Sequence, residues 1–421
     1  MPVPRQTRMA RRLFGFSGLS LVSAIGPLAV LPVIARLSDA PDWAALGVGQ
    51  SVGAFLALVV LFGWNLAGPT RVARATPAEQ SSLYRESICA RMVLLVAVLP
   101  VGAVLATVLA PQGSALLAVL MSASMMINGL SPAWFCVGAG RPGWIARYDA
   151  GPRLLGTLVS LLVVAAGGPL VLYPVVMAVA TGAGVYAFTL KHRPDSGARW
   201  PALPQLARSL AGGGVPAATM VIAGAYSSAP VAIAAAVLPV GSLAVFVSAE
   251  RLYRFGLSSI STLSNSVQGW VAEVGGAQGR RRAAIALTAH AVLGLAGATA
   301  IILLGPWASR ILFGDQLAVG RVVFVGFGLA FFASSLSTSL GRHVLVPRSR
   351  TGLLLWSTAV GAVVGVASML ICGRLYGASG ASAAFALSES AVAAVQMVAA
   401  VLVVREERRL RPAPSVAPGF T

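Results

Sequence analysis

The chain has 421 residues, of which 57% are hydrophobic and only 10% are charged, and its mean hydropathy is +0.83. A water-soluble domain needs far more charge at its surface, so this composition excludes one and requires a membrane as solvent. The net charge of +19 would suit a nucleic-acid binder, but the charges lie between apolar stretches, where they set membrane topology and attract anionic lipid headgroups.

Apolar stretches of roughly 18 to 25 residues, each long enough to cross a bilayer as a helix, recur along the whole chain. They are too long and too uniformly apolar for outer-membrane strands, so we predict an all-α, polytopic membrane protein with about 12 transmembrane helices. The predicted spans are 13–35, 44–67, 88–110, 114–138, 150–168, 170–190, 208–236, 240–270, 283–304, 318–340, 352–372 and 379–404.

Positive charge marks every second connection between these spans. Of the 31 basic residues, 24 lie in the two tails and the alternate connections, and three lie within spans. The opposite connections carry only Arg36, Arg310, Arg321 and Arg374. Because basic loops stay in the cytoplasm, we predict that both termini are cytoplasmic and that the protein lies in the inner (cytoplasmic) membrane.

The longest polar interruption between spans divides the twelve predicted spans into two groups of six. We predict a cytoplasmic tail 1–12, a first six-helix bundle 13–190, a linker 191–207, a second six-helix bundle 208–404 and a cytoplasmic tail 405–421. Both bundles would begin and end in the cytoplasm, which is typical of halves related by a parallel pseudo-two-fold along the membrane normal.

Span 240–270 is the most polar of the twelve and supplies most of the candidate site. Its polar residues recur every three or four positions, which places them on one helix face that cannot contact lipid. These residues are Glu250, Arg254, Ser258, Ser261, Asn265 and Gln268, with Arg251 beside them. Charged side chains at this depth are costly, so they indicate either a wet cavity or an internal Glu250–Arg254 ion pair that merely packs the bundle.

Three further polar residues within spans are candidates. Arg91, in span 88–110, either binds substrate or extends to the headgroups. Asn128, in span 114–138, either lines a cavity or bonds a neighbouring helix. Glu389, in span 379–404, has no basic neighbour one helical turn away and indicates an ion site or a partner on another helix. The serines at 334–339, in contrast, favour close helix packing.

Several kinds of site are excluded by what the sequence lacks. Its three histidines and three cysteines form no metal-binding motif, and there is no Walker loop. No outer loop is long enough for a catalytic centre. We therefore expect no cofactor, no metal, no nucleic-acid partner and no enzymatic activity.

Five segments resemble one family: GFSGLSLVSAIGPLAVLPVIARLSD, WAALGVGQSVGAFLALVVLFGW, PAWFCVGAGRP, AERLYR and ILFGDQ. They look like the oligosaccharidyl-lipid (Wzx-type) flippases of polysaccharide and lipopolysaccharide biosynthesis, in the multidrug/oligosaccharidyl-lipid/polysaccharide (MOP) superfamily. The resemblance implies alternating-access translocation of a polyprenyl-diphosphate-linked oligosaccharide to the outer leaflet, coupled to H⁺ or Na⁺, near other polysaccharide-assembly proteins.

The resemblance also gives the candidate residues roles. Arg254, Arg251 and Arg91 would bind the diphosphate, while Glu389 and Glu250 would bind the coupling ion. Two alternatives remain open: a MATE-like drug or metabolite antiporter of the same superfamily, and a non-transporting scaffold of a glycan-assembly complex. The excess of basic over acidic residues within the spans favours an anionic substrate, and the polar face of span 240–270 disfavours a scaffold.

Overall fold

The computed structural model describes residues 31–192, 201, 203–212 and 214–409, and these residues form helices and no strand. Residues 31–36 are helical; the rest of predicted span 13–35, all of tail 1–12, and parts of the linker and of tail 405–421 lie outside the described residues. The helices that follow are α1 Ala40–Leu61, α2 Trp64–Arg74, α3 Pro77–Leu109, α4 Ala115–Ile127, α5 Ala133–Gly138, α6 Pro142–Ile145, α7 Gly151–Ala165, α8 Leu172–Lys191, α9 Leu203–Gly212, α10 Gly214–Val237, α11 Val240–Ala272, α12 Gly276–Phe313, α13 Arg321–Ser339 and α14 Thr351–Arg409.

These helices confirm the predicted all-α membrane fold. Nine helical stretches in the described residues are long and apolar enough to cross a membrane. The predicted span 240–270 corresponds to α11, which is also long enough to cross a membrane but is more polar than these nine stretches. Predicted spans 352–372 and 379–404 are the two arms of α14, which is broken at Gly377.

The break in α14 is a tight hairpin. Gly377 has φ 60° and ψ −140°, a backbone conformation that essentially only glycine adopts. Across the hairpin, the Ser388 hydroxyl donates to the Gly361 carbonyl at 2.7 Å, and the Gln396 amide donates to the Ser357 hydroxyl at 3.0 Å. The two arms therefore run antiparallel in contact with each other.

Contacts divide the chain into two compact units. Unit 1 comprises Met1–Ser248 and Trp307–Val319, and unit 2 comprises Ala249–Pro306 and Gly320–Thr421. The chain thus changes unit within α11 and within α12. The predicted division at 191–207 stays a prediction.

In unit 1, α1 packs against α4 through small residues. A Cβ atom added to Gly49 would overlap the carbonyl oxygen of Ala118, and one added to Gly53 would overlap that of Ser122. Such close backbone approach is how membrane helices gain van der Waals contact without a hydrophobic driving force. This packing holds α4 in place for the break that follows it.

Candidate functional site

The polar face of α11 is the central feature of unit 2. We call Glu250, Arg254, Ser258, Ser261, Asn265 and Gln268 the α11 stripe. Its four polar uncharged residues, Ser258, Ser261, Asn265 and Gln268, are exposed. Because polar side chains are costly to expose to hydrocarbon, this exposure agrees with the wet cavity that is one of the two predicted alternatives.

The charged end of the stripe is an ion pair. Arg254 and Glu250, one turn apart on α11, form a salt bridge in which the side chain of Glu250 is 7% exposed and that of Arg254 is 43% exposed. The neighbouring Arg251 is buried. The pair predicted from the spacing is present, and its guanidinium remains accessible.

A further cation reaches the stripe from the segment after α13. Arg342 lies in a π-helical turn, Leu340–Leu345, and its guanidinium donates to the Asn265 side-chain oxygen at 2.8 Å. The sequence placed Arg342 among the cytoplasmic loop arginines because it follows the apolar part of the span. The π-helical turn, which its sequence does not reveal, brings it back toward α11.

Glu389 takes part in a hydrogen-bonded chain across three helices. The Ser334 hydroxyl, on α13, donates to a Glu389 carboxylate oxygen at 2.6 Å, and the Tyr253 hydroxyl, on α11, lies 2.9 Å from the same Ser334 oxygen. Because Ser334 gives its proton to the carboxylate, Tyr253 donates to Ser334. Ser334, which the sequence assigned to packing, is thus the link between the stripe helix and Glu389.

Aromatic rings enclose this chain. The Tyr253 ring centroid lies 5.6 Å from that of Phe327, 6.4 Å from that of Phe331 and 5.3 Å from that of Phe385. Glu389 is only 8% exposed. A carboxylate in such surroundings is sensitive to any cation or proton that reaches it, because the low local dielectric strengthens electrostatic interactions.

In unit 1, Arg91 lies at a break between α4 and α5. Residues Asn128–Leu130 form a single 3-10 turn there. One terminal nitrogen of Arg91 donates to the carbonyls of Gly129 and Ser131, both at 3.0 Å, and the guanidinium lies 5.7 Å from the Trp134 ring centre. Arg91 is fully buried, so it does not extend to the headgroups but satisfies the carbonyls that the break releases.

The second terminal nitrogen of Arg91 is buried and has no hydrogen-bond partner within the described part of the chain. Asn128, one residue before Gly129, donates from its side chain to the Met125 carbonyl at 3.1 Å. Both residues therefore support the same break through backbone carbonyls, and Arg91 retains donor capacity.

Asp149 is a buried carboxylate that the sequence pattern does not reveal. It lies in a π-helical turn, Ala146–Ala150, where it accepts a hydrogen bond from the Ser131 hydroxyl at 2.6 Å and forms a salt bridge with Arg153. Through Ser131 it is joined to the Arg91 cluster. Asp149 lies at the edge of predicted span 150–168, where a carboxylate is expected to belong to an exposed loop.

Across 31–192, 201, 203–212 and 214–409, no group of three or more His, Cys, Asp and Glu side chains is arranged to hold a metal ion. His290 and His343 lie close together in unit 2, with ring centroids 5.3 Å apart. The His290 ring bonds the Ala286 carbonyl at 2.9 Å, and the His343 ring bonds the Ser339 hydroxyl at 3.2 Å.

No protein-family model matches the sequence, and no curated protein matches it. Solved structures do. The chain is similar to the lipid II flippase MurJ in an inward closed conformation, with TM-score 0.74 and 11% identity over 95% of this chain and 93% of that one. It is also similar to an inward-facing multidrug resistance MATE transporter of the MOP superfamily, with TM-score 0.71 and 14% identity over 93% and 96% of the two chains.

A eukaryotic MATE transporter matches with TM-score 0.54 and 15% identity over 96% of this chain and 99% of that one. At these identities the likeness shows the fold. The chain therefore has the fold of MOP-superfamily transporters, in agreement with the predicted fold class. The structures that share it are described as transporters and a flippase rather than as enzymes.

Proposed function

We propose that this chain is a MOP-type membrane transporter that moves a polyprenyl-diphosphate-linked oligosaccharide from the cytoplasmic to the outer leaflet. It acts by alternating access in the cytoplasmic membrane, with both termini in the cytoplasm, and catalyses no chemical reaction. Its partners are the lipid-linked glycan, a coupling ion, membrane lipids and other polysaccharide-assembly proteins. The shared fold with MurJ and MATE structures supports transport, and the residues of unit 2 support the substrate class.

The observation that carries the substrate class is the charge of the α11 stripe and its surroundings. Three guanidinium groups, those of Arg251, Arg254 and Arg342, lie on or beside the stripe. Two carboxylates accompany them, Glu250 in the ion pair and Glu389 joined through Ser334. A cavity for cationic drugs would need the opposite excess, whereas a diphosphate is best bound by guanidinium forks. The exposed hydroxyl and amide groups of the stripe suit the hydroxyls of a sugar.

The Glu250–Arg254 pair supports a way of coupling substrate to an ion. A diphosphate that binds Arg254 competes with Glu250 for the same guanidinium, and the displaced carboxylate then needs a proton or Na⁺. Glu389, buried beside Tyr253 and Ser334, is the second carboxylate that such an ion would occupy. Substrate binding at Arg254 thereby raises the affinity of the Glu250 carboxylate for the coupling ion.

The test is transport of a fluorescent polyprenyl-diphosphate disaccharide by proteoliposomes, with Arg254→Gln compared with Arg281→Gln. Both changes remove one positive charge, but Arg281 lies outside the stripe and is exposed. We expect Arg254→Gln to lower the rate at least tenfold, because a charge-assisted phosphate contact contributes about 1.5–3 kcal/mol, and Arg281→Gln to leave it unchanged. Equal rates for both variants would remove Arg254 from the site.

The fold likeness to MATE transporters keeps a drug or metabolite antiporter as a second candidate. Efflux of a cationic dye, driven by an imposed ion gradient and insensitive to Arg254→Gln, would favour it over the flippase. A chain that transports neither substrate but is required for glycan assembly would instead be a scaffold.

A further inference from the structure

Unit 2 carries a groove that lies apart from the α11 stripe. It is formed by the start of α12, the π-helical turn Leu340–Leu345 with Val346–Arg348 after it, and the second arm of α14, and it holds about 380 Å³. The charge pattern predicts this end of the helices to be cytoplasmic. The proposed transport function does not use the groove.

The groove is basic at one end and apolar below. Arg280, Arg348 and Arg405 line it together with alanines and larger apolar side chains. On α12, Leu287 follows Arg280 by two turns, and on α14, Met397 precedes Arg405 by about two turns. Since the two helices run in opposite directions here, both arginines lie at the same end of the groove. From that end, a row of apolar side chains extends roughly 10–12 Å along each helix.

The apolar wall continues into the core of unit 2. Leu340 and Ala400 line the groove and also belong to a buried cluster with Ala283, Val344 and Val403. The floor is therefore packed protein, and a ligand in the groove would cover apolar surface that no other part of the described chain covers.

The arginines differ in how far their charge is already neutralised. Arg348 donates to the Glu407 carboxylate at 2.8 and 3.4 Å and to the Val344 carbonyl at 2.9 Å. Arg280 and Arg405 have no hydrogen bond or ion pair within the described ranges. The groove thus has a net charge of two positive units at its polar end.

We propose that this groove is a binding site for an anionic membrane phospholipid. The phosphate lies between Arg280 and Arg405, and one acyl chain lies along the apolar rows that include Leu287 and Val401. A guanidinium pair is suited to a phosphodiester, and basic pockets between helices on the cytoplasmic side bind anionic headgroups. A soluble phosphate would leave the apolar rows uncovered, which is why the occupant is a lipid.

Native mass spectrometry of the purified protein tests the site, with dioleoyl phosphatidylglycerol and dioleoyl phosphatidylcholine as probes in detergent. We expect the wild type to retain one phosphatidylglycerol in preference to phosphatidylcholine. Arg280→Gln/Arg405→Gln lowers the phosphatidylglycerol affinity roughly 30-fold, since each basic residue near the membrane surface contributes about 1 kcal/mol. The control Arg281→Gln/Arg374→Gln removes the same charge from exposed positions outside the groove and keeps the wild-type affinity.

A variant that blocks the apolar part separates a lipid from a soluble anion. Ala284 lines the groove and is exposed, so Ala284→Trp fills it without changing charge; Ala284→Leu serves the same purpose if the larger residue impairs folding. Loss of bound phosphatidylglycerol supports the lipid site. Unchanged binding in this variant, or equal losses in the two double variants, would overturn it. The assay contains no glycan-lipid, so its result is independent of the proposed transport function.

Discussion

Replacing Arg91 by Met tests whether this buried cation supports the break between α4 and α5. The change leaves the carbonyls of Gly129 and Ser131 without the donor that bonds each at 3.0 Å. An unsatisfied buried acceptor costs about 1–3 kcal/mol, so the loss is roughly 2–6 kcal/mol before any offset. Removing a buried charge recovers part of it, and we expect a net local destabilisation of about 2–4 kcal/mol.

A thiol next to the break provides the assay. Cys136 lies in α5, is a free cysteine and is buried, so a thiol-reactive dye labels it only when this region opens. In a background without Cys89 and Cys372, we expect Arg91→Met to raise the labelling rate of Cys136 roughly 30- to 1,000-fold, because each 1.4 kcal/mol changes the open population tenfold.

The matched control lies on the same helix. Arg85 is only partly buried, and its guanidinium donates one long hydrogen bond to the His192 carbonyl, at 3.4 Å. We expect Arg85→Met to change the labelling rate less than about fivefold, as for a peripheral contact of under 1 kcal/mol. A rate within twofold of the wild type for Arg91→Met would refute the supporting role, and Arg91 would then be free to act on substrate alone.

Three further predictions concern packing, backbone and pH. Gly49→Leu overlaps the α4 backbone and is expected to lower the free energy of unfolding by at least about 1–3 kcal/mol in thermal unfolding, whereas Gly182→Leu, with open space around its Cα, changes it little. Gly377→Ala forces a residue with a Cβ into φ 60°, ψ −140° and costs about 1–3 kcal/mol; a wild-type melting temperature would contradict this. Burial, aided by Lys191 and Arg85, lowers the pKa of His192 below its ordinary 6.5, so the unfolded chain binds the proton more tightly and stability falls as the pH drops below about 6.5. The pH dependence is expected to weaken in His192→Gln, and an identical profile for the variant would exclude this histidine as its source.

The sequence predicts the fold well because membrane spans depend on local composition. The described helices follow the predicted spans closely, and even the hairpin at Gly377 falls between predicted spans 352–372 and 379–404. The Glu250–Arg254 pair and the α11 stripe were likewise visible, since helical spacing fixes which side chains share a face.

Contacts between distant segments could not be predicted in the same way. The link from Tyr253 through Ser334 to Glu389 depends on which faces of α11, α13 and α14 meet. The return of Arg342 to Asn265 depends on a π-helical turn with no distinctive sequence. Ser334 alone is typical of a serine that packs between helices, and Arg342 alone is typical of a cytoplasmic loop. Neither residue therefore indicates its contact in the sequence.

The carbonyls that bond Arg91 have a consequence for synthesis of the protein. They lie 38 and 40 residues after it in the chain, so the ribosome supplies them roughly 2 to 8 s later at ordinary elongation rates. Until then the guanidinium in α3 has only the carbonyl of Ser87, within its own helix, as a protein acceptor. The cation in α3 therefore has no protein partner outside its own helix until α4 and the following break have been synthesised.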